Sequence, residues 1–168
     1  MSIKNFFMGK TDDGDSKLIM IHFEGLPNFH EKLACNMILD KSVNALVFKS
    51  RVNKNAPAVT LPLEKILFAG NLMIDGTKKQ SAVGRAFAGG LLFGGAGAVV
   101  GAMTAKEKKK LELYYIIRYK TENEEKEILL RENGNLNFRS FQKELKQLNP
   151  QIMQNKKELE NAKEDITL

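Results

Sequence analysis

Leu111-Glu112-Leu113-Tyr114-Tyr115-Ile116-Ile117-Arg118-Tyr119-Lys120 is the stretch that decides the fold. Leu111, Leu113, Tyr115, Ile117 and Tyr119 fall on one side, and Glu112, Tyr114, Ile116, Arg118 and Lys120 on the other. Successive strand side chains point in opposite directions, so this period of two predicts a β-strand. Thr121 to Glu125 reads as an acidic turn and Glu127 to Arg131 as the return strand of a hairpin. Asn133 to Asn137 is a loop whose last residue suits a helix N-cap. From Phe138 the period changes. Phe138, Phe141, Leu145 and Leu148 recur at helical spacing among mostly polar residues, which predicts an amphipathic helix with these four facing the core. Pro150 breaks or kinks it. The remainder, 150–168, reads as a polar helical tail; Ile152, Leu159 and Ile166 are spaced by seven, so a weak coiled-coil seam is the competing reading.

Upstream, the strand period recurs. Leu33, Cys35, Met37 and Leu39 share one side, and Ala34, Asn36, Ile38 and Asp40 the other. Lys17 to Phe23 is an apolar run ended by Gly25 and Pro27, as a buried strand would be. Lys41 to Asn44 is turn-like and leads to a strand over Ala45 to Arg51. Asn53 to Pro57 is a polar loop. Ala58 to Leu63 and Lys65 to Ile74 are two further strands, with Pro62 at a bend or an edge because proline cannot donate to a ladder. The expected organisation is a loose arm over 1–16, a domain over 17–149 and a segment inserted at 77–110. The fold class is mostly β with a C-terminal α-helix, an α+β arrangement.

The chain has 168 residues, which fits one domain with an appendage. Its formal charge of +6 favours anionic partners and also serves solubility. Cys35 is the sole cysteine, so no intramolecular disulfide is implied, and its place in an alternating strand predicts a buried structural thiol. Met1 to Lys10 holds too short an apolar stretch for a secretory signal, so the expected location is cytoplasmic.

The unusual segment is Ala86 to Met103, eighteen residues without a charge. As a helix it would align Ala86, Gly90, Gly94, Gly97 and Gly101 on one stripe, with Leu91, Leu92, Val99 and Val100 opposite; these residues and Phe93 are the candidate membrane or self-association surface. Small residues on a stripe admit a second helix at van der Waals distance, the pattern of a glycine zipper. Each glycine costs a helix about 1 kcal/mol relative to alanine, so such a helix needs a partner surface or a membrane. A transmembrane helix usually needs about 20 residues. A single crossing would also divide the strands of one domain between two sides of a bilayer. A helical hairpin turning near Gly94-Gly95 avoids this, with arms of roughly 13 Å that reach into one leaflet.

Lys78, Lys79 and Arg85 precede the apolar run, and Lys106, Lys108, Lys109 and Lys110 follow it. Basic flanks at both ends suit an anionic cytoplasmic surface, where each lysine or arginine contributes about 1 kcal/mol. The competing readings are homo-oligomerisation through the glycine stripe, contact with another protein, and packing on the domain's own surface. Nucleic acid is disfavoured as a partner, because the lysines flank an apolar run instead of interleaving with exposed aromatics.

No catalytic or cofactor signature emerges. Gly95-Ala96-Gly97-Ala98-Val99-Val100-Gly101 fails the dinucleotide fingerprint at Val100, and no Gly-Lys-Ser/Thr ends it. His22 and His30 are the only histidines and have no metal-ligand spacing around them. The expectation is a protein that is not an enzyme and has no metal or cofactor.

Three phrases sharpen the strand pattern: His22-Phe23-Glu24-Gly25-Leu26-Pro27, Leu61-Pro62-Leu63-Glu64-Lys65-Ile66 and Gly84-Arg85-Ala86-Phe87-Ala88-Gly89-Gly90-Leu91-Leu92-Phe93-Gly94. In order and wording the chain resembles bacterial and phage proteins with a pleckstrin-homology-like (PH-like) or GRAM-like domain interrupted by a glycine-rich insertion. The resemblance covers about Lys17 to Leu148. It implies an antiparallel β barrel capped by its C-terminal helix, serving lipid, peptide or protein recognition. It assigns no individual ligand-binding residue, and fold alone does not choose the ligand.

Overall fold

The computed structural model describes residues 9, 11, 13–75 and 111–154. Among the described residues seven strands are formed: β1 (Ser16–Glu24), β2 (Ala34–Asp40), β3 (Ala45–Ser50), β4 (Val59–Pro62), β5 (Ile66–Asp75), β6 (Leu111–Lys120) and β7 (Glu125–Glu132). A 3-10 turn, Leu63–Lys65, separates β4 from β5, and the helix α1 spans Phe138–Leu148. The strands make one antiparallel sheet in the order β4-β3-β2-β1-β7-β6-β5. Strands adjacent in sequence pair throughout, except that β1 joins β7 and leaves β4 and β5 as the edges. Pro62 sits on edge strand β4, opposite Ala45, where its missing N–H breaks no inner ladder.

The period of two explains which side chains meet. Leu18 and Met20 of β1, Cys35, Met37 and Leu39 of β2, Leu46 and Phe48 of β3, Tyr115 and Ile117 of β6, and Ile128 and Leu130 of β7 form one buried cluster. Phe141 and Leu145 of α1 complete it, both fully buried, and Phe138 packs against its margin. Burial of each such side chain stabilises the fold by roughly 1.5–3 kcal/mol. Tyr115 ends in a polar contact, with Gln142 Nε2 donating to its hydroxyl at 2.5 Å. The opposite face of the second half of the sheet is also covered: Phe68 and Ile116 are fully buried and Tyr114 nearly so.

Several local expectations are corrected. Leu148 is 37% exposed and does not face the core. Its place is taken by Ile152, which is fully buried, because the chain after Pro150 turns back against the sheet. Gln151 therefore lies in a turn and residues 152–154 are not helical, with Met153 bridged to Phe68. Met153 donates its N–H to Leu67 O at 3.1 Å and accepts from Ala69 N at 2.9 Å, so this strap occupies part of the β5 edge. Asn149 Nδ2 donates to Leu63 O at 2.7 Å, and Lys146 Nζ to Ile152 O at 2.6 Å. Leu33 lies just before β2 and is exposed, as is Leu113 in β6.

Asn137 occupies the N-cap position without a side-chain capping bond. Its amide donates instead to Lys17 O at 3.1 Å and to Gly9 O at 3.4 Å, and Lys17 donates its N–H to Gly9 O at 2.6 Å. The arm is thus pinned at Gly9, and Ser16 already belongs to β1. Gly25 has a φ of +95°, and a Cβ there would lie 2.0 Å from Glu127 O, so the β1–β2 connection passes over β7 at a distance only glycine permits.

Candidate functional site

β5 and β6 form the hairpin that carries the glycine-rich segment. Their register runs from Ile66↔Tyr119 to Asp75↔Leu111, so the last described residue before the segment and the first after it are direct partners. The β6–β7 ladder begins only at Tyr115↔Leu130. The four pairs from Leu72↔Tyr114 to Asp75↔Leu111 therefore carry β5 and β6 beyond the β6–β7 pairing as a two-stranded arm. Both ends of 76–110 leave from the tip of this arm.

The expected surface residues Ala86, Gly90, Leu91, Leu92, Phe93, Gly94, Gly97, Val99, Val100 and Gly101 lie outside the described residues. So do the basic flanks Lys78, Lys79, Arg85, Lys106, Lys108, Lys109 and Lys110. What is described is their base. There Tyr114 meets Phe23 of β1 edge-on, with ring centroids 5.1 Å apart, and Arg131 of β7 lies 5.1 Å above the Phe23 ring. This aromatic–cation stack ties the root of the arm to β1 and β7.

The titratable side chains singled out by the sequence have structural surroundings. His22 is buried at the end of β1. Its Nε2 lies 3.2 Å from Leu26 N and accepts that N–H, so Nδ1 carries the proton and donates to His30 O at 3.2 Å. One neutral imidazole thus clamps both sides of the β1–β2 connection, with Phe29 against its ring. Burial pushes the Cys35 thiol up to about 12. A thiol-specific reagent is therefore expected to leave the native protein unmodified and to react with one equivalent after denaturation; fast labelling of the native protein would contradict this burial.

Glu127 of β7 is the group whose environment sequence reasoning missed. Its side chain is 14% exposed, and Oε2 is buried without a hydrogen-bond partner among the described residues. The Arg118 guanidinium is drawn to Glu125, 2.6 Å from its carboxylate, and Arg118 Nε stays 3.9 Å from Glu127 Oε1. Burial raises the Glu127 carboxyl from 4.5 to about 7, helped by Glu24 and Glu125 and opposed by Arg118. A carboxyl raised in the native state favours folding below the unfolded value near 4.5, and that contribution is lost as the pH rises through about 7. Glu127→Gln is accordingly expected to stabilise the protein by about 1–3 kcal/mol at pH 8 and to do little at pH 4. Urea midpoints at the two pH values measure this. The signal that could have found the site is the charge pattern of the hairpin, which places Glu125 and Glu127 on the same side of β7 beside Arg118 of β6.

A second surface feature lies at the β3–β4 loop. Asn36, Lys49, Arg51 and Lys54 line an open cavity there. Comparison with protein families, with curated proteins and with solved structures finds no match for this chain. Among the described residues no helix is long and apolar enough to cross a membrane.

Proposed function

We propose that this protein is a non-enzymatic binding module that attaches peripherally to the inner face of the cytoplasmic membrane through its glycine-rich segment. In this reading the sheet is a PH-like barrel, capped by α1, that presents a platform to a further ligand. The observation that carries the reading is the Asp75↔Leu111 pair. An uncharged segment with basic flanks leaves and re-enters the fold at one point, which is the geometry a shallow helical hairpin needs and a single crossing cannot use. The barrel reading is supported by two features. β1 rejoins β7, and three residues, Leu63–Lys65, suffice to link β4 on one edge to β5 on the other.

Apolar burial supplies most of the affinity in this reading, at about 25 cal/mol per Å² removed from water, and the flanking cations add a salt-sensitive part. Liposome flotation tests it. The full-length protein is expected to float with acidic vesicles, less so at high salt, and to lose binding when Thr77 to Lys110 is replaced by a short polar turn. Because Asp75 and Leu111 are already partners, that replacement closes a hairpin and leaves the sheet intact, which a thermal melt verifies. Intact protein that stays at the bottom with every lipid mixture sinks the membrane reading. Self-association through the glycine stripe would then be read from sedimentation of Gly90→Leu and Gly94→Leu.

A further inference from the structure

We infer that the β3–β4 loop forms a binding site for a phosphate-bearing anion, separate from the glycine-rich segment and independent of the membrane reading. The loop bounds an open cavity of about 540 Å³ whose cationic lining is Lys49, Arg51 and Lys54. Asn36 and Lys49 are register partners on the sheet face turned away from the core, and Arg51, just past β3, donates its N–H to Ala34 O at 3.2 Å and lines the same cavity. Lys54 is supplied by the loop. The loop is held by its own hydrogen bonds: Ser50 Oγ accepts from Asn53 N at 3.0 Å, and Asn53 accepts from Asn55 N and Ala56 N at 3.1 and 3.2 Å. The three cations therefore surround the cavity on a folded support.

The Asp40 carboxylate of β2 feels the charge of Lys49, but no ion pair joins the two. The sequence from Lys41 to Leu63 contains Lys41, Lys49, Arg51 and Lys54 and no aspartate or glutamate. Among the described residues Lys41 is paired with Glu144, whereas Lys49, Arg51 and Lys54 form no ion pair. Like charges gathered around a concavity concentrate a positive potential in it and draw an anion of opposite, preferably multiple, charge. Arginine offers a planar fork that matches phosphate oxygens, lysine a point charge, and the Asn36 amide a neutral donor. The lining holds no aromatic side chain on which a base could stack, which favours phosphate recognition over single-stranded nucleic acid. Followed through the register, the cavity lies at the Ala34 end of the sheet, while the β5–β6 arm extends past Glu132 in the opposite direction along β1. The phosphate can come from a soluble ester or from a phosphomonoester lipid headgroup.

The test uses the full chain and inorganic pyrophosphate, glycerol 3-phosphate and vesicles containing phosphatidic acid. Calorimetry is expected to show saturable binding of at least one soluble probe, or flotation to show binding to phosphatidic acid that survives replacement of Thr77 to Lys110. The first result identifies a soluble ligand and the second a headgroup. In either arm Lys49→Gln with Arg51→Gln is expected to weaken binding about a hundredfold, roughly tenfold per charged contact, while Lys126→Gln leaves it unchanged. The substituted side chains are exposed, and an unchanged melting temperature confirms that the fold is kept. Equal affinity in the double variant overturns the site. Absence of binding in every arm does so as well, as does binding of single-stranded RNA that none of the small phosphates displaces.

Discussion

A chain ending at Asn137 is expected to lose its cooperative thermal transition. α1 contributes Phe141 and Leu145 to the cluster that also holds Leu18, Met37, Phe48 and Tyr115, and it contributes the Gln142 partner of the Tyr115 hydroxyl. Without the helix one side of that cluster faces water, and Tyr115 loses its hydrogen bond. Each fully buried apolar side chain is worth roughly 1.5–3 kcal/mol, against a total stability of about 5–15 kcal/mol for an ordinary domain. The single-residue version is Phe141→Ala, expected to destabilise by about 3–5 kcal/mol because a fully buried aromatic ring leaves a cavity. Calorimetry of the truncated chain and a urea titration of Phe141→Ala provide the readings. A sharp transition retained by the truncated chain would show that the sheet holds its core without a helix, and the capped-barrel reading would fail with it.

The second large effect concerns the strap after Pro150. Ile152→Ala is expected to cost about 2–5 kcal/mol, and a chain ending at Asn149 at least as much. The truncation removes the buried Ile152 side chain and the two main-chain bonds of Met153 to β5. It also uncovers Leu67 O and Ala69 N on an edge strand, so greater self-association is expected alongside the lost stability. Urea midpoints and light scattering of the two variants, compared with Gln151→Ala at an exposed neighbouring site, separate loss of the strap from a general effect of the tail. If the chain ending at Asn149 unfolds at the same urea concentration as the whole protein, the strap is an ornament of the fold.

Much of this architecture was legible in the order of residues. A period of two is a local property, and it marked β2 and β6 because strand geometry places alternate side chains on one core. The change of period at Phe138 marked α1 for the same kind of reason. The glycine-rich run announced itself by composition, and its basic flanks by charge. These are statements about neighbours in sequence, so no tertiary information was needed to make them.

What the sequence left undecided depends on contacts between distant residues. Helical spacing put Leu148 on the core face and Ile152 in a polar tail, yet Ile152 is buried and Leu148 is not. The helix ends at Leu148, and only the free edge of β5 decides where the chain goes after Pro150. Asn137 stands where a capping residue should, but the nearby carbonyls of Gly9 and Lys17 draw its amide away. Nothing in the sequence marks Glu127 as buried, and only the structure shows Arg118 bonded to Glu125 while Glu127 Oε2 is buried. Lys49, Arg51 and Lys54 read as scattered surface charges until pairing of β3 with β2 and the fold of the β3–β4 loop gather them around one cavity. Periodicity is set by backbone geometry one residue at a time and survives in the bare sequence. Burial of a side chain, satisfaction of a polar group and convergence of charges are set by whatever packs against it from elsewhere in the chain, and only the tertiary structure supplies that partner.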